Sequence, residues 1–282
     1  MYTLPFHFST ISQNIHNFQN LQLHILCYNS IHQKHKGDLL MAYQTVFKRY
    51  EFKYILTQDQ KNDILQAMAP YMVPDQYGKT TIRNLYFDTE NYRLIRHSIE
   101  KPIYKEKLRL RSYQRTSPES EVFVELKKKF QSVVYKRRIS MTQQRALQWL
   151  CGNEPLSAKT QISSEIDYFV SYYGDLQPTV FLSYDREAYY AKDDSQFRVT
   201  FDERILCRQT DLSLEHDAYG TPILDEQLVL MEIKCIGGIP LWMTQMLSKQ
   251  KLYKTTFSKY GTAYQTLIYP KLKEDYFYGN IV

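Results

Sequence analysis

Six short segments alternate charged with apolar residues, and their charged positions are mostly basic. They are Arg49-x-Glu51-x-Lys53, Arg109-x-Arg111-x-x-x-Arg115, Glu125-x-Lys127-x-Lys129, Lys136-x-Arg138, Arg198-x-Thr200-x-Asp202 and Glu232-x-Lys234. Residues two apart in a strand share a face. Each segment therefore specifies a strand with one charged and one apolar side. A sheet of such strands must bury its apolar side and leave its charged side to water or to an enclosed polar space. Many cations with a few interleaved carboxylates suit a polyanion with bound metal.

Arg109, Arg111, Lys127, Lys129, Lys136 and Arg138 lie on neighbouring hairpin-like strands, and parity puts them on one face. Like charges opposite each other destabilise a sheet unless an anion sits between them. Helices packed over the apolar side would leave the charged side lining a barrel, whose lumen can be polar. The ordinary alternative is a charged face in open solvent.

Strands are expected at 46–56, 81–88, 103–115, 121–130, 132–140, 179–190, 196–206 and 228–235, separated by polar or turn-rich segments. The closely spaced strands point to an antiparallel sheet or barrel. Helices are fewer. Thr57-x-x-Gln60 is a capping-box pattern followed by Ile64, Leu65, Met68 and Met72. Thr142 caps a short helix carrying Ala146, Leu147 and Leu150. Ser164 is read as the cap of another, with Ile166, Phe169, Val170 and Tyr173 on one face and Gly174 as its stop. The stretch 240–268 reads as helix, with Phe257 to Gly261 near its middle. Asp88 in Tyr-Phe-Asp-Thr reads as a structural turn residue.

Composition bounds the function. The 282 residues are 43% hydrophobic and 23% charged, enough for a substantial core. The 25 Tyr and 14 Phe favour strands. A net charge of +6 is modest for a nonspecific nucleic-acid binder, so placement of the cations matters more than their excess. Cys27, Cys151, Cys207 and Cys235 show neither CxxC nor zinc spacing. A reduced cytoplasmic protein is the reading. No apolar run approaches the roughly 20 residues of a membrane span, and no secretory leader is expected.

Residues 1–41 differ from the rest, with five of the seven His and little periodicity. They read as a histidine-rich metal tail, as disorder, or as a non-native extension. Lys36-Gly37-Asp38-Leu39-Leu40-Met41 is compatible with a purine-rich bacterial ribosome-binding site, translated just before a true start at Met41. The domain proper is then 42–282. Intact mass of the protein from its native locus tests this; a species beginning at Met1 refutes it.

Phosphate-binding glycine loops are missing: there is no GxxxxGK[ST] and no GxGxxG, and the chain holds nine glycines in all. If the protein handles nucleotide phosphates, side chains must bind them, Arg as a bidentate fork and Lys as a point charge. No Ser-His-Asp arrangement stands out, and His97 and His216 are the only histidines after the N-terminal stretch.

These residues carry a family resemblance. Phe47-Lys48-Arg49-Tyr50-Glu51-Phe52-Lys53-Tyr54, Leu85-Tyr86-Phe87-Asp88-Thr89, Leu108-Arg109-Leu110-Arg111 and Val124-Glu125-Leu126-Lys127-Lys128-Lys129 come first. Val134-Tyr135-Lys136-Arg137-Arg138, Tyr184-Asp185-Arg186-Glu187-Ala188-Tyr189, Arg198-Val199-Thr200-Phe201-Asp202, Met231-Glu232-Ile233-Lys234 and Phe257-Ser258-Lys259-Tyr260 follow. The set, in this order over about residues 46–270, resembles the VTC domain, the polyphosphate polymerase branch of the triphosphate tunnel metalloenzymes (CYTH-like superfamily). The resemblance implies an α+β fold: an eight-stranded antiparallel β-barrel tunnel with flanking helices. It implies transfer of the ATP γ-phosphate to a growing polyphosphate chain, with a divalent metal, Mn2+ or Mg2+. By motif, Lys53, Arg109, Arg111, Lys127, Lys136, Arg186, Arg198 and Lys259 become the catalytic phosphate-binding set. Tyr184, Ser258, Lys129, Arg138 and Lys234 become further substrate contacts. Glu232 becomes the metal ligand, with Glu51 and Glu125 as additional candidates. Eukaryotic relatives attach this domain to a membrane channel, so a separate membrane protein is the corresponding partner; no specific nucleic acid is expected.

Two other readings stay open: a hydrolase of triphosphate or polyphosphate with the same fold, and a non-catalytic module that binds polyphosphate or nucleotide. Hydrolytic tunnel enzymes carry Glu-x-Glu-x-Lys on the first strand, whereas this chain has Arg49-x-Glu51-x-Lys53. Glu51 and Glu125 also read as partners of nearby cations, and Asp202 as the partner of a base. Arg138 and Lys129 read equally as exposed strand charges. Lys128 and Arg137 have the wrong parity for the lining.

Overall fold

The computed structural model describes residues 50–131, 133–152 and 154–278. All of them fall in one unit, Phe47–Val282. The readings made of residues 1–41, and of Arg49, lie outside the described residues. In chain order the elements are β1 (Tyr50–Thr57), α1 (Gln58–Met68), β2 (Met72–Pro74), β3 (Thr80–Asp88), α2 (Arg93–Ile99), β4 (Tyr104–Ser112), β5 (Glu121–Phe130) and β6 (Val133–Thr142). They continue with α3 (Gln143–Leu150), α4 (Gln161–Tyr173), β7 (Gln177–Ala191), β8 (Arg198–Arg208), β9 (Thr221–Pro222), β10 (Leu228–Cys235), α5 (Leu241–Lys249) and α6 (Lys259–Ala263). A π-helical turn, Tyr264–Ile268, leads from α6 into α7 (Tyr269–Tyr278). No helix among the described residues is long and apolar enough to cross a membrane.

All strand pairs are antiparallel, in the order β1-β10-β8-β7-β3-β4-β5-β6, with β2 added to β7 and β9 to β8. The eight expected strands are the eight of this path. The expected closed eight-stranded barrel is corrected: among the described residues the sheet has ten strands and its ladder does not close between β6 and β1. The free edge of β1 is engaged elsewhere. Thr255 forms an isolated bridge with Lys53, its N–H donating to the Lys53 carbonyl at 2.7 Å. The sheet still curls, since Lys127 Nζ on β5 lies 3.8 Å from Glu51 Oε2 on β1, far along the strand order.

Period-two alternation decides what is buried. On β4 and β5, Leu108, Leu110, Val124 and Leu126 are fully buried against Ala146, Trp149 and Leu150 of α3 and Ile166 and Phe169 of α4. On β1, β8 and β10, Leu56, Val199, Phe201, Met231 and Ile233 pack against Ile64 and Met68 of α1 and Met243 and Leu247 of α5. Each such side chain contributes about 1.5–3 kcal/mol by leaving water. A third cluster joins Ile82, Tyr86, Leu182 and Tyr184 to Tyr260, Ala263 and Tyr264, so the C-terminal helices cover part of the opposite, charged face.

Local capping follows the sequence with two corrections. Thr57 and Gln60 form the reciprocal capping box, and Thr142 accepts from Arg145 N–H. For α4 the cap is Thr160, paired with Ser163; Ser164 is already helical. Both hydroxyls suit an N-cap, and Thr160 is the one in extended backbone (φ −107°). Gly174 ends α4 in positive φ, as expected. The stretch 240–268 is not one helix: it breaks after Lys249, pairs with β1 at Thr255, and restarts at the cap Ser258. Phe257 to Gly261 therefore spans a helix start rather than a helix middle. Space at Gly261 is tight, because a Cβ would sit 3.1 Å from Ser258 Oγ. Met72, placed in the first helix by spacing, lies on β2. Asp88 is structural: it accepts from Thr89, Leu94 and Ile95 N–H and from Tyr260 OH, tying α2 and α6 to β3.

Candidate functional site

Strand register assembles the lining. Lys127 on β5 is opposed by Lys107 on β4 and Lys136 on β6, and Lys105 is opposed by Lys129. One step along, Glu125 is opposed by Arg109 and Arg138. Across the sheet, Glu232 lies between Lys53 and Thr200, and Lys234 between Glu51 and Arg198. Directly opposed residues share a face, so these groups all point to the side away from the first two apolar clusters. Lys128 and Arg137 point the other way and pair with Glu165 of α4, as parity requires.

Glu125 is the hub of the β4–β5–β6 half, with its side chain 1% exposed. Arg109 donates through Nε at 2.8 Å, and Arg138 Nε and Lys136 Nζ at 2.6 Å. Burial by itself raises the Glu125 pKa, but Arg109, Arg111 and Lys136 hold it far below the usual carboxylate range. Both oxygens are thus engaged by cations, the pairing with nearby bases also read for Glu125 from the sequence. Arg109 also donates to Tyr86 OH at 3.0 Å. Arg111 donates to Asn84 Oδ1 at 2.9 Å and to Tyr184 OH at 3.0 Å. Arg138 donates to Tyr113 OH and lies over the Phe123 ring, so it is not a simple exposed charge. Lys129 makes no ion pair among the described residues and faces Lys105.

Glu232 is the hub of the other half. Lys53 is 3.4 Å from its Oε1 and Lys259 3.5 Å, while Arg186 and Lys234 lie 3.4 and 3.6 Å from its Oε2. Burial opposes ionisation, yet Lys259, Lys53, Lys234 and Arg186 keep the carboxyl well below its ordinary pKa. Glu51 lies 3.4 Å from the same Lys53 and, despite burial, is lowered to about 2, chiefly by Lys127. Asp202 takes a bidentate contact from Arg186 at 2.5 and 2.6 Å and a contact from Lys259, the pairing expected of it. Arg198 sits at the margin, 3.8 Å from Asp75 and over the Tyr190 ring. Burial lowers the Lys234 pKa to about 8 in spite of Glu232 and Glu51. Tyr184 is lowered too: burial pushes it up, but Arg111, Arg186 and Lys259 prevail. Ser258 Oγ accepts from Lys107 Nζ at 3.1 Å while capping α6.

Among the described residues, no group of three or more His, Cys, Asp or Glu is placed to hold a metal ion. The donors do fit a divalent cation that arrives on phosphate, which needs only one or two carboxylates plus phosphate oxygens. Glu232 and Glu51 share Lys53, and Thr200, opposite Glu232, has a buried hydroxyl with no hydrogen-bond partner.

Every candidate named by motif within the described residues is brought to this face or to the α6 start that covers it. Lys105, Lys107 and Asn84 escaped the sequence reading, and Tyr86 and Thr200 stood in its motifs without a site role. The two lysines were visible: Lys105-x-Lys107 extends the Arg109-x-Arg111 alternation upstream in the same strand.

No curated protein matches the chain at a significant level. Two solved structures are similar at 13% identity. One is a proposed adenylate cyclase from Bacillus halodurans, with TM-score 0.47, covering 76% of this chain and 94% of its own. The other is a proposed adenylate cyclase from Vibrio parahaemolyticus, with TM-score 0.41, covering 78% and 98%. The profile of the VTC domain matches residues 48–268, which hold all the motifs that build the lining, and the chain belongs to the VTC domain family.

Proposed function

We propose that this protein is a polyphosphate polymerase that transfers the γ-phosphate of ATP to the end of an inorganic polyphosphate chain. The observation that carries the reading is Glu232, ionised inside a ring of Lys53, Lys234, Arg186 and Lys259 and continuous with a cation-rich face. The nucleophile is a terminal phosphate oxygen, already ionised near neutral pH. It forms a new bond to the γ-phosphorus as the bond to the β-phosphate oxygen breaks, and ADP leaves. No general base is required. The two histidines among the described residues serve elsewhere: His97 contacts the Tyr104 carbonyl and His216 pairs with Asp211, both exposed.

In this reading Lys53, Arg109, Arg111, Lys127, Lys136, Arg186, Arg198 and Lys259 neutralise charge on the phosphates, the main requirement of phosphoryl transfer. Tyr184, Ser258, Lys129, Arg138 and Lys234 orient the chain. Glu232, with Glu51, would hold the divalent metal that the family implies, manganese or magnesium, which supplies further charge neutralisation. The setting is the cytoplasm, where ATP is available, with a separate membrane protein as the partner for moving product.

The test is incubation with ATP and manganese, followed by a gel stain for long polyphosphate and assay of ADP. Polymer with ADP supports the polymerase. Free phosphate without polymer supports a hydrolase, and tight anion binding without turnover supports a binding module.

A further inference from the structure

Lys107 is outside every motif that carries the resemblance, yet it occupies the centre of the lining. It stands directly opposite Lys127, which stands opposite Lys136. Its ammonium donates to Ser258 Oγ at 3.1 Å and lies 5.9 Å from the Tyr260 ring centre. It makes no ion pair among the described residues. The groups facing it are cationic on every side: Lys105 and Arg109 on its own strand, Lys127 on β5, Lys136 beyond it, and Lys53 on β1. The nearby acids are engaged elsewhere. Glu51 is with Lys53 and Lys127, Glu125 with Arg109, Arg138 and Lys136, and Asp88 on β3 with the α2 amides and Tyr260.

We propose that Lys107 is an additional phosphate-contacting residue of this site, and that it takes up a proton from solvent as a phosphate chain enters between it and Lys127. The proposal rests on the polyphosphate reading above and adds to it a residue and a proton linkage. Two ammonium groups opposed in register repel, and the cost disappears when an anion lies between them. Burial first, then Lys127, Lys105, Lys53 and Arg109, push the Lys107 pKa down to about 7. An incoming phosphate reverses the sign of the field at its nitrogen and restores the charge.

The test is calorimetric titration of inorganic tripolyphosphate into the full chain at pH 6.5 and 8.5, in buffers of different ionisation enthalpy. The unmodified protein is expected to take up protons on binding. Lys107→Met is expected to weaken binding roughly tenfold at the lower pH and to remove part of the uptake, so the two proteins converge at the higher pH. Lys107→Arg keeps its charge throughout and is expected to restore affinity without restoring the uptake. This rescue separates a phosphate contact from a structural role and carries the test if the Met variant does not fold. Unchanged affinity and uptake in Lys107→Met, or failure of Lys107→Arg to bind, overturns the proposal while leaving the polyphosphate reading standing. Absence of tripolyphosphate binding by the unmodified chain overturns both.

Discussion

The two halves of the lining solve the problem of clustered charge in opposite ways. On β4–β5–β6, eight cations (Lys105, Lys107, Arg109, Arg111, Lys127, Lys129, Lys136 and Arg138) surround one carboxylate, Glu125. On β1–β10–β8–β7 and the start of α6, Lys53, Lys234, Arg186 and Lys259 interleave with Glu51, Glu232 and Asp202. The second half pairs most of its charges internally and keeps Glu232 ionised. The first half has far more cations than carboxylates, which under the proposed function suits it to an anion. In that reading, the first half would hold the polyanion and the second would act on it.

The largest effect is expected where the second half has its hub. Glu232→Gln should reduce turnover roughly 100-fold or more, with tripolyphosphate binding kept or strengthened. Steady-state assays alongside calorimetry check this, and a fully active variant removes the distinction between the halves. Next comes the hub of the first half. Glu125→Ala leaves Arg109, Lys136 and Arg138 without their carboxylate and should cost about 3–5 kcal/mol of stability. Millimolar tripolyphosphate should restore part of the melting temperature, because the anion replaces the missing charge; thermal unfolding with and without it decides.

A smaller change is expected from Lys127→Ala, which should weaken tripolyphosphate by about 1.5–3 kcal/mol and reduce its salt dependence, with less effect on kcat than on KM. If kcat falls and KM holds, Lys127 belongs with the transfer centre instead. The pH response of the free protein is subtler. Lys107, at about 7, and Lys136 and Lys234, at about 8, all lie below the ordinary 10.5 of lysine. The unfolded chain therefore binds more protons between these values and 10.5, so these groups make the folded state gain stability as pH rises through that window. Melting temperatures at pH 7 and 9 should show the rise, and saturating tripolyphosphate should flatten it. The smallest effect is reserved for Arg137→Gln, on the outer face: under about 1 kcal/mol, with anion binding unchanged.

Much of this site was legible because alternation is local. Arg109, Arg111, Lys127 and Lys136 reach one face by parity alone, and the same rule correctly sent Lys128 and Arg137 to Glu165. The cap at Thr57 was legible for the same reason, since its partners are three residues apart. What escaped depended on partners distant in the chain. The cap of α4 is the exception: Ser163, the partner of Thr160, is just as close in sequence, and Thr160 was missed because Ser164 is an equally good cap by residue type. The interruption of 240–268 came from Thr255 pairing with β1, about two hundred positions away. The same contact occupies the edge that a closed barrel needs.

The amino-acid order by itself determined the strands, their two-faced character and the identity of the cations, because a period of two requires no knowledge of neighbours. The tertiary structure decided which cations meet. Register set Lys127 between Lys107 and Lys136, curvature brought Glu51 to Lys127, and the start of α6 delivered Ser258 and Lys259 to the face. Those are long-range contacts, and a charge acquires its meaning from what stands opposite it. Tertiary packing thus turned Glu125 into a saturated counter-ion and left Glu232 as the ionised hub of the other half.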